Sequence, residues 1–238
     1  MNSLDKLKIK IFADGASFED MMAMNANSNI QGLTTNPSLM KKAGIKNYEE
    51  FAKKVTKEIK EKTISFEVFS DDFDEMEKQA EKISTWGNNV YAKIPITNTK
   101  KESACELIKV LNEKKIKVNV TAIMTLQQVK DVYKVLNKSI NNYVSIFAGR
   151  IADTGSDPEV IISESLKIFK DYNQTEILWA SCREIFNIYQ ANKIGCHIIT
   201  VPNNILKKTN LIDYNLEDYS LDTVKDFYKD SVEAGYKL

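Results

Sequence analysis

One lysine interrupts a short apolar run at residues 90–97, VYAKIPIT, whose composition is typical of a buried β-strand. Burying an ammonium group costs free energy, and removal from water favours the uncharged form of a lysine side chain. An uncharged amine is a nucleophile, whereas an ammonium ion is not. Lys93 is therefore the first candidate for a reacting group in this sequence.

Polar side chains also stand late in the other β-rich runs, where a barrel of parallel strands would bring them to one rim. In chain order these residues are Asp14, Thr34, Thr35, Asn36, Glu67, Asn119, Thr121, Ser145, Arg150, Ser181 and Arg183, and the eighth run offers only Asn203 and Asn204. The early runs bring acids and the lysine, and later runs bring arginine and serine, which bind phosphate through charge-assisted hydrogen bonds. The pattern predicts chemistry at one side of a site and anion binding at the other.

Each of these residues also has a purely structural interpretation. Asp14 and Asn36 are of the type that caps helices, and the two arginines could lie on the surface. Glu67 could form an ion pair with Lys93 that has no catalytic role. The functional interpretation rests on convergence, because caps and surface residues have no reason to gather at the same end of successive strands.

Eight β-rich runs alternate with segments whose apolar residues recur three and four positions apart, as in amphipathic helices. The runs occupy residues 8–14, 30–36, 63–69, 90–96, 117–123, 143–149, 176–181 and 196–202. This alternation predicts parallel strands joined by right-handed crossovers, and eight units in about 200 residues suit a (β/α)8 TIM barrel, an α/β fold. A doubly wound open sheet is the alternative. It is disfavoured because the segment ADGAS, at the end of the first run, holds only one glycine and lacks the glycine-rich dinucleotide-binding fingerprint.

The 238 residues are predicted to form one domain, 1–238, because 8 glycines and 4 prolines mark no linker. Residues from about 212 to 238 are predicted to form a C-terminal helical extension with an apolar face. This tail either caps the barrel or packs on a neighbouring subunit, and the sequence leaves both open. Pro158 is placed for a first helical turn, and Gly195 for a helix C-terminus.

Composition excludes several classes of protein. The 33 basic and 33 acidic residues leave no net field that would draw the protein to nucleic acid or to a membrane surface. No apolar stretch approaches the roughly 20 residues of a membrane span, and no signal-peptide core is evident, so we expect a cytoplasmic protein. The 3 cysteines lack metal-ligand spacing, which fits a reducing compartment. His197 is the only histidine; we expect it in the core or barrel wall, and we predict no metal site.

The strand-end segments resemble the transaldolase family, in the short single-domain branch that also includes the fructose-6-phosphate aldolases. The matching segments are GLTTNPSLM, VYAKIPIT, NVTAI, SIFAGRI and WASCR, which follow one another along most of the chain. Matches in this order are far more specific than TTNPS alone. The sequence departs from the family pattern at Gly15, where threonine is common, at Ile146, where proline is usual, and in TVPNNIL, which leaves the preferred acceptor open.

The resemblance implies a reaction. Lys93 would attack the C2 carbonyl of a ketose phosphate and form an iminium that acts as an electron sink, and Asp14 would take the C4 hydroxyl proton as the C3–C4 bond breaks. A dihydroxyacetone unit would stay on the lysine until an acceptor aldehyde arrives. Glu67 and Thr121 match the pair that positions the water for proton transfer. The lysine itself supplies the electron sink, so the resemblance implies no cofactor.

The same resemblance implies the substrate-binding residues Thr34, Asn36, Asn119, Ser145, Phe147, Arg150, Ser181 and Arg183. Asn36 and Ser145 match groups that hydrogen-bond the three-carbon unit, and Asn119 is expected to contribute less directly. Arg150, Ser181 and Arg183 match a phosphate cradle. Glu67 and Phe147 favour transaldolase, because the fructose-6-phosphate aldolases have Gln and Tyr there, and a tyrosine hydroxyl would promote release of free dihydroxyacetone. The expected partners are sugar phosphates and further copies of the chain. A fructose-6-phosphate aldolase and a non-catalytic sugar-phosphate-binding protein are the alternatives.

Overall fold

Eight parallel strands close into a barrel in the computed structural model, which describes residues 3–238. The strands are β1 Lys10–Asp14, β2 Ile30–Thr34, β3 Thr63–Glu67, β4 Val90–Pro95, β5 Val118–Ile123, β6 Asn142–Ile146, β7 Thr175–Trp179 and β8 Ile198–Pro202. They follow one another around the barrel in sequence order, and β8 pairs with β1. The predicted (β/α)8 barrel is confirmed, and the open-sheet alternative is wrong because the ring closes.

Helices fill the intervals between the strands. The helical segments of the described residues are the 3₁₀ helices Ser3–Lys6 and Lys207–Leu211 and the α-helices α1 Phe18–Ala26, α2 Pro37–Lys42, α3 Tyr48–Glu58, α4 Phe73–Ser84, α5 Cys105–Glu113, α6 Leu126–Val135, α7 Ala148–Ala152, α8 Pro158–Ile168, α9 Phe186–Lys193, α10 Asn203–Leu206 and α11 Leu216–Glu233. Side chains cap the N-termini of several of these helices, as Ser17 does for α1 and Asp72 for α4. Pro158 begins α8, and Gly195 follows α9 with φ +77°, as predicted.

Side chains alternate along each strand between an outer core under the helices and the lumen of the barrel. The apolar lumen residues are Phe12, Tyr91, Tyr143, Leu178, Ala180 and Ile198. The rings of Tyr91 and Tyr143 stack with centroids 4.2 Å apart. Gly32 makes room for Phe12, because a Cβ at Gly32 would lie 2.6 Å from that ring. This apolar plug fills the lower lumen and leaves the polar residues above it around the mouth.

His197 lies outside the core, contrary to the expectation from sequence. It precedes β8 at the N-terminal end of the barrel, where its side chain is exposed and its Nδ1 accepts a hydrogen bond from the N–H of Ile177 at 2.9 Å. Partial desolvation lowers the pKa of His197. The prediction was wrong because β8 begins only at Ile198, which leaves residue 197 just outside the N-terminal end of the strand.

The predicted C-terminal helical extension is α11, and none of its residues is buried. Its exposed apolar side chains are Leu216, Tyr219, Leu221, Val224, Phe227, Tyr228 and Val232. In the single chain this face therefore does not cap the barrel, and its packing on a neighbouring subunit stays a prediction. Across residues 3–238, no helix combines the length and the apolar character of a membrane span.

Candidate active site

The C-terminal ends of the strands surround a cavity of about 460 Å³. Its lining includes every catalytic and substrate-binding residue that the family resemblance implies: Asp14, Thr34, Asn36, Glu67, Lys93, Asn119, Thr121, Ser145, Phe147, Arg150, Ser181 and Arg183. The barrel brings them together because parallel strands all end at the same rim, however far apart the residues lie in the chain. The volume suits a small metabolite.

Lys93 lies deep in this cavity, with 7% of its side chain exposed. Its Nζ lies 3.0 Å from Oε2 of Glu67 and donates a hydrogen bond to the carbonyl oxygen of Thr35 at 3.1 Å. Glu67 and Lys93 are paired across β3 and β4, so both side chains leave neighbouring strands toward the lumen. The ion pair considered as a structural alternative is therefore present. It borders a cavity instead of being sealed in the core, which leaves the amine accessible to a bound molecule.

Threonine hydroxyls hold Asp14 at the end of β1. Thr34 Oγ1 donates to Asp14 Oδ1 at 2.7 Å and lies 2.6 Å from Thr200 Oγ1. Burial raises the pKa of Asp14 above its ordinary value, although the charge of Lys93 and the Thr34 hydroxyl oppose this shift. A carboxyl group with a raised pKa beside a lysine is typical of a proton-transfer group. The helix-cap interpretation is wrong for Asp14, because Ser17 caps α1.

A buried chain of hydrogen bonds crosses the lumen between β3 and β6. Ser145 Oγ donates to Asn119 Oδ1 at 2.7 Å, and Asn119 Nδ2 donates to Ser65 Oγ at 3.0 Å. Asn119 is completely buried, so its amide orients Ser145 toward the cavity that both residues line. Thr121 differs from them, because its buried hydroxyl has no hydrogen-bond partner within the described part of the chain. That oxygen is available to a molecule in the cavity.

Two exposed arginines stand at the rim of the cavity. Arg150 belongs to α7, and Arg183 follows β7. The guanidinium group of Arg183 forms an ion pair with Asp153, and its backbone N–H donates to Asn187 Oδ1 at 2.8 Å. Guanidinium groups at the rim with acids and a lysine deeper inside fit the predicted division between anion binding and chemistry.

Gly149 allows α7 to approach the loop after β7 closely. A Cβ at this position would lie 1.7 Å from the carbonyl oxygen of Ser181 and 3.0 Å from Nε of Arg183. Ser181 has a left-handed conformation, with φ +63°, so the loop has little freedom to move away. The absence of a side chain at Gly149 therefore sets the spacing between the helix that carries Arg150 and the loop that carries Arg183.

Gly149→Ala is expected to destabilise the protein and to weaken anion binding at the rim. The methyl group would overlap a backbone carbonyl, so α7 must shift, at a cost of about 3 kcal/mol. We expect a lower Tm in thermal unfolding and a higher Kd for inorganic phosphate in calorimetry. Gly155→Ala is the control, because its Cβ meets nothing within 4 Å and only its φ of +79° is strained. Unchanged phosphate affinity in Gly149→Ala would contradict this assignment.

β8 contributes different residues from those predicted. Thr200 and Pro202 line the cavity, whereas Asn203 faces a second pocket, between α1 and α10 and beside Gly15, and Asn204 is exposed. The prediction of Asn203 and Asn204 was wrong because lumen-facing residues alternate along β8 and the chain turns into α10 directly after Pro202. The same alternation, applied to the sequence, would have identified Thr200.

The N-terminus of α2 also contributes cavity residues that the pattern of strand-end polar residues does not identify. Pro37, Ser38 and Leu39 line the cavity. Asn36 caps this helix, because its Oδ1 accepts a hydrogen bond from the N–H of Leu39 at 2.9 Å. The helix-cap interpretation of Asn36 is therefore correct, and the residue lines the cavity as well. A cap that directly follows a strand end places the helix N-terminus at the barrel mouth.

The fold and this cavity define a (β/α)8-barrel protein with a lysine–carboxylate pair inside an arginine-rimmed pocket. A family model described as Transaldolase/Fructose-6-phosphate aldolase matches residues 11–237. A probable transaldolase of Thermoanaerobacter sp. (strain X514) is 34% identical over 231 residues, which cover 97% of this chain and 100% of that protein. A probable transaldolase of Nitrosopumilus maritimus (strain SCM1) is 35% identical over 228 residues, which cover 94% and 97%. The chain belongs to the transaldolase/fructose-6-phosphate aldolase family of enzymes.

Solved structures with little sequence similarity share the fold. The tryptophan synthase subunit alpha from Campylobacter jejuni superposes with a TM-score of 0.55 at 15% identity, covering 91% of this chain and 94% of its own. KGPDC from Streptococcus mutans gives a TM-score of 0.55 at 8% identity, with 84% and 90% covered. At such identities the likeness shows the barrel alone.

Proposed function

We propose that the protein is a transaldolase that works through a Schiff base on Lys93. It moves a dihydroxyacetone unit from sedoheptulose 7-phosphate or fructose 6-phosphate to an aldose phosphate such as glyceraldehyde 3-phosphate or erythrose 4-phosphate. The observation that carries the proposal is the buried amine of Lys93, which lies 3.0 Å from Glu67 in a cavity that also exposes Asp14. The family and the names of its relatives support the same reaction class.

Imine formation is the first step. Nζ of Lys93, after losing a proton, attacks C2 of the ketose, and the resulting carbinolamine loses water to give the iminium. Glu67 is placed to accept the proton from Nζ and to return a proton to the departing hydroxyl. Thr121 lines the same cavity with a free hydroxyl, which suits it to hold the water that carries these protons.

Carbon–carbon cleavage follows. Asp14 removes the proton of the C4 hydroxyl, the C3–C4 electron pair moves into the iminium to give an enamine, and the aldose leaves with a new carbonyl group at its former C4. The enamine then attacks an acceptor aldehyde, and the steps run in reverse to release the new ketose. Ser145 and Asn36 are proposed to hydrogen-bond the three-carbon unit while it stays on Lys93. Arg150, Ser181 and Arg183 are proposed to hold the phosphate.

Fructose-6-phosphate aldolase activity is the second candidate, because the family includes both reactions. Phe147 argues against it. This half-buried side chain lines the cavity and has no hydroxyl that could protonate the enamine. The discriminating measurement is free dihydroxyacetone formed from fructose 6-phosphate without an acceptor aldehyde. Accumulation over many turnovers would identify the aldolase. No accumulation, with fructose 6-phosphate consumed over many turnovers only after an acceptor aldehyde is added, supports the transaldolase.

Borohydride trapping tests the Schiff base directly. The protein is incubated with fructose 6-phosphate and borohydride, digested, and analysed by peptide mass spectrometry. We expect a reduced three-carbon adduct on Lys93 and on no other lysine. An unmodified Lys93, under conditions that trap a known transaldolase, would favour a sugar-phosphate-binding protein without turnover.

We propose that the working form is a homo-oligomer in which α11 packs on another copy of the chain. An apolar helix face of this size is rarely left in water. Val224→Glu is expected to lower the molecular mass in sedimentation equilibrium by disrupting this contact. Lys229→Glu, on the other side of the same helix, is the control and should leave the mass unchanged. A monomeric wild-type protein would contradict the proposal.

A further inference from the structure

The hydrogen-bond ladder between β2 and β3 is interrupted beside the lysine. The N–H of Thr35 donates to the carbonyl of Ser65 at 3.1 Å, which is a regular parallel rung. In a regular ladder the next rung would join the N–H of Glu67 to the carbonyl of Thr35. The rung after that would need an N–H from residue 37, which is proline and begins α2. β2 therefore ends too early to satisfy both the N–H and the C=O of Glu67.

Tyr48 supplies the missing partner. Its hydroxyl accepts a hydrogen bond from the N–H of Glu67 at 2.9 Å and donates one to the carbonyl of Glu67, also at 2.9 Å. The N–H and C=O of one strand residue point to the same side, so a single hydroxyl can serve both. Burial raises the pKa of Tyr48, which keeps the proton that the hydroxyl donates. A side chain from α3 thus takes the place of two rungs of β2.

This replacement changes what the carbonyl of Thr35 can do. Because Tyr48 satisfies the N–H of Glu67, the carbonyl of Thr35 accepts a hydrogen bond from Nζ of Lys93 instead, at 3.1 Å. The same Nζ lies 3.0 Å from the carboxylate of Glu67. Tyr48 therefore acts on both groups that hold the amine: it frees one acceptor and fixes the backbone of the other.

We propose that Tyr48 is a positioning residue for the Schiff-base reaction, through the backbone exchange that leaves the Thr35 carbonyl to Lys93. This inference rests on the proposed function of Lys93. Without the hydroxyl, the N–H of Glu67 closes the regular rung onto Thr35, because a buried N–H without an acceptor is costly. The Thr35 carbonyl must then be shared between this N–H and Nζ of Lys93, which weakens and redirects the hydrogen bond to the amine. The amine then shifts from the position in which it attacks the substrate.

Tyr48→Phe removes the hydroxyl and keeps the ring, which packs edge-on against Phe69 with centroids 5.5 Å apart. Tyr143→Phe is the matched control. Tyr143 is a lumen tyrosine of the apolar plug, whose hydroxyl donates to Thr63 Oγ1 at 3.2 Å and has no contact with Glu67 or Lys93 among the described hydrogen bonds. Both changes remove a partly buried hydroxyl, so they separate a general loss of stability from an effect on the amine.

The experiment compares two quantities in wild type, Tyr48→Phe and Tyr143→Phe. The first is the rate of borohydride trapping at Lys93 with saturating fructose 6-phosphate, and the second is the Kd of inorganic phosphate. We expect Tyr48→Phe to slow trapping by about 10-fold to 100-fold, the range for a misplaced reacting group. Its phosphate affinity should equal that of wild type, and Tyr143→Phe should match wild type in both.

Wild-type trapping rates in Tyr48→Phe would overturn the inference while leaving the proposed function intact. A parallel loss of phosphate affinity would also overturn it, because the defect would then extend to the whole site. Absence of any adduct in wild type would instead contradict the proposed function. A crystal structure of Tyr48→Phe gives an independent answer. The inference requires the N–H of Glu67 on the Thr35 carbonyl and a displaced Nζ of Lys93, and an Nζ in its wild-type position refutes it.

Discussion

Lys93→Met is expected to abolish both dihydroxyacetone transfer and borohydride trapping. Methionine keeps the length and apolar character of the stem but has no amine, so no covalent intermediate can form. Covalent catalysis divides one difficult step into two easier ones, and its loss should lower kcat by about 10⁴-fold or more. The measurement is the transfer of the three-carbon unit from fructose 6-phosphate to erythrose 4-phosphate, together with the mass of the peptide that contains residue 93.

Lys109→Met provides the control for this change. Lys109 is an exposed lysine of α5 whose only described ion pair is with Glu106 on the same helix. We expect wild-type transfer and wild-type trapping on Lys93 in this variant. Removing Lys93 also leaves Glu67 without its partner, so circular dichroism must show that Lys93→Met is folded. Substantial transfer by a folded Lys93→Met protein would refute the Schiff-base mechanism.

Asp14→Asn is expected to stop the reaction one step later. The amide cannot take the C4 hydroxyl proton, so cleavage should slow by about 10²-fold to 10⁴-fold, the range for a general base. Imine formation does not use Asp14 in this mechanism. Borohydride should therefore trap the intact six-carbon sugar phosphate on Lys93, where wild type gives the three-carbon unit. A three-carbon adduct formed at the wild-type rate would show that another group is the base.

The raised pKa of Asp14 predicts how this residue affects activity and stability with pH. Asp14 must be ionised to act as a base. The pH at which activity is lost in acid should therefore lie above 3.8, the ordinary pKa of an aspartate. Folding raises the pKa, so the folded state binds the proton more tightly and loses stability as pH rises from the unfolded pKa to the folded pKa. The full cost is present at pH values above the folded pKa. Asp14→Asn should therefore have a higher Tm than wild type in that range, and the difference should disappear in acid.

Local patterns were sufficient for the architecture of the barrel. Six of the eight strands lie within their β-rich runs, and β6 and β7 begin one residue earlier, at Asn142 and Thr175. The patterns locate the strands because buried strands need short apolar segments and the helices between them need a spacing of three and four. The same patterns identified residues of the cavity. In a barrel of parallel strands all C-terminal ends point to one rim, so a polar residue late in a run is directed there whatever the length of the intervening helix. Lys93 and Arg183 meet one cavity for this reason.

Other features depend on contacts between distant parts of the chain, which no local pattern contains. Which residues near a strand end face the cavity depends on where the strand stops. β8 stops at Pro202, so Thr200 lines the cavity, whereas Asn203 already belongs to the following helix and does not. His197 lies outside the barrel wall because β8 begins only at the next residue, Ile198. The link from Tyr48 to Glu67 joins residues 19 positions apart. It exists because Pro37, which begins α2 shortly after β2, has no N–H for the next rung of the ladder. A hydrogen bond of that kind follows from where the chain runs in space, since the sequence records which groups are present but not which of them are left without a partner.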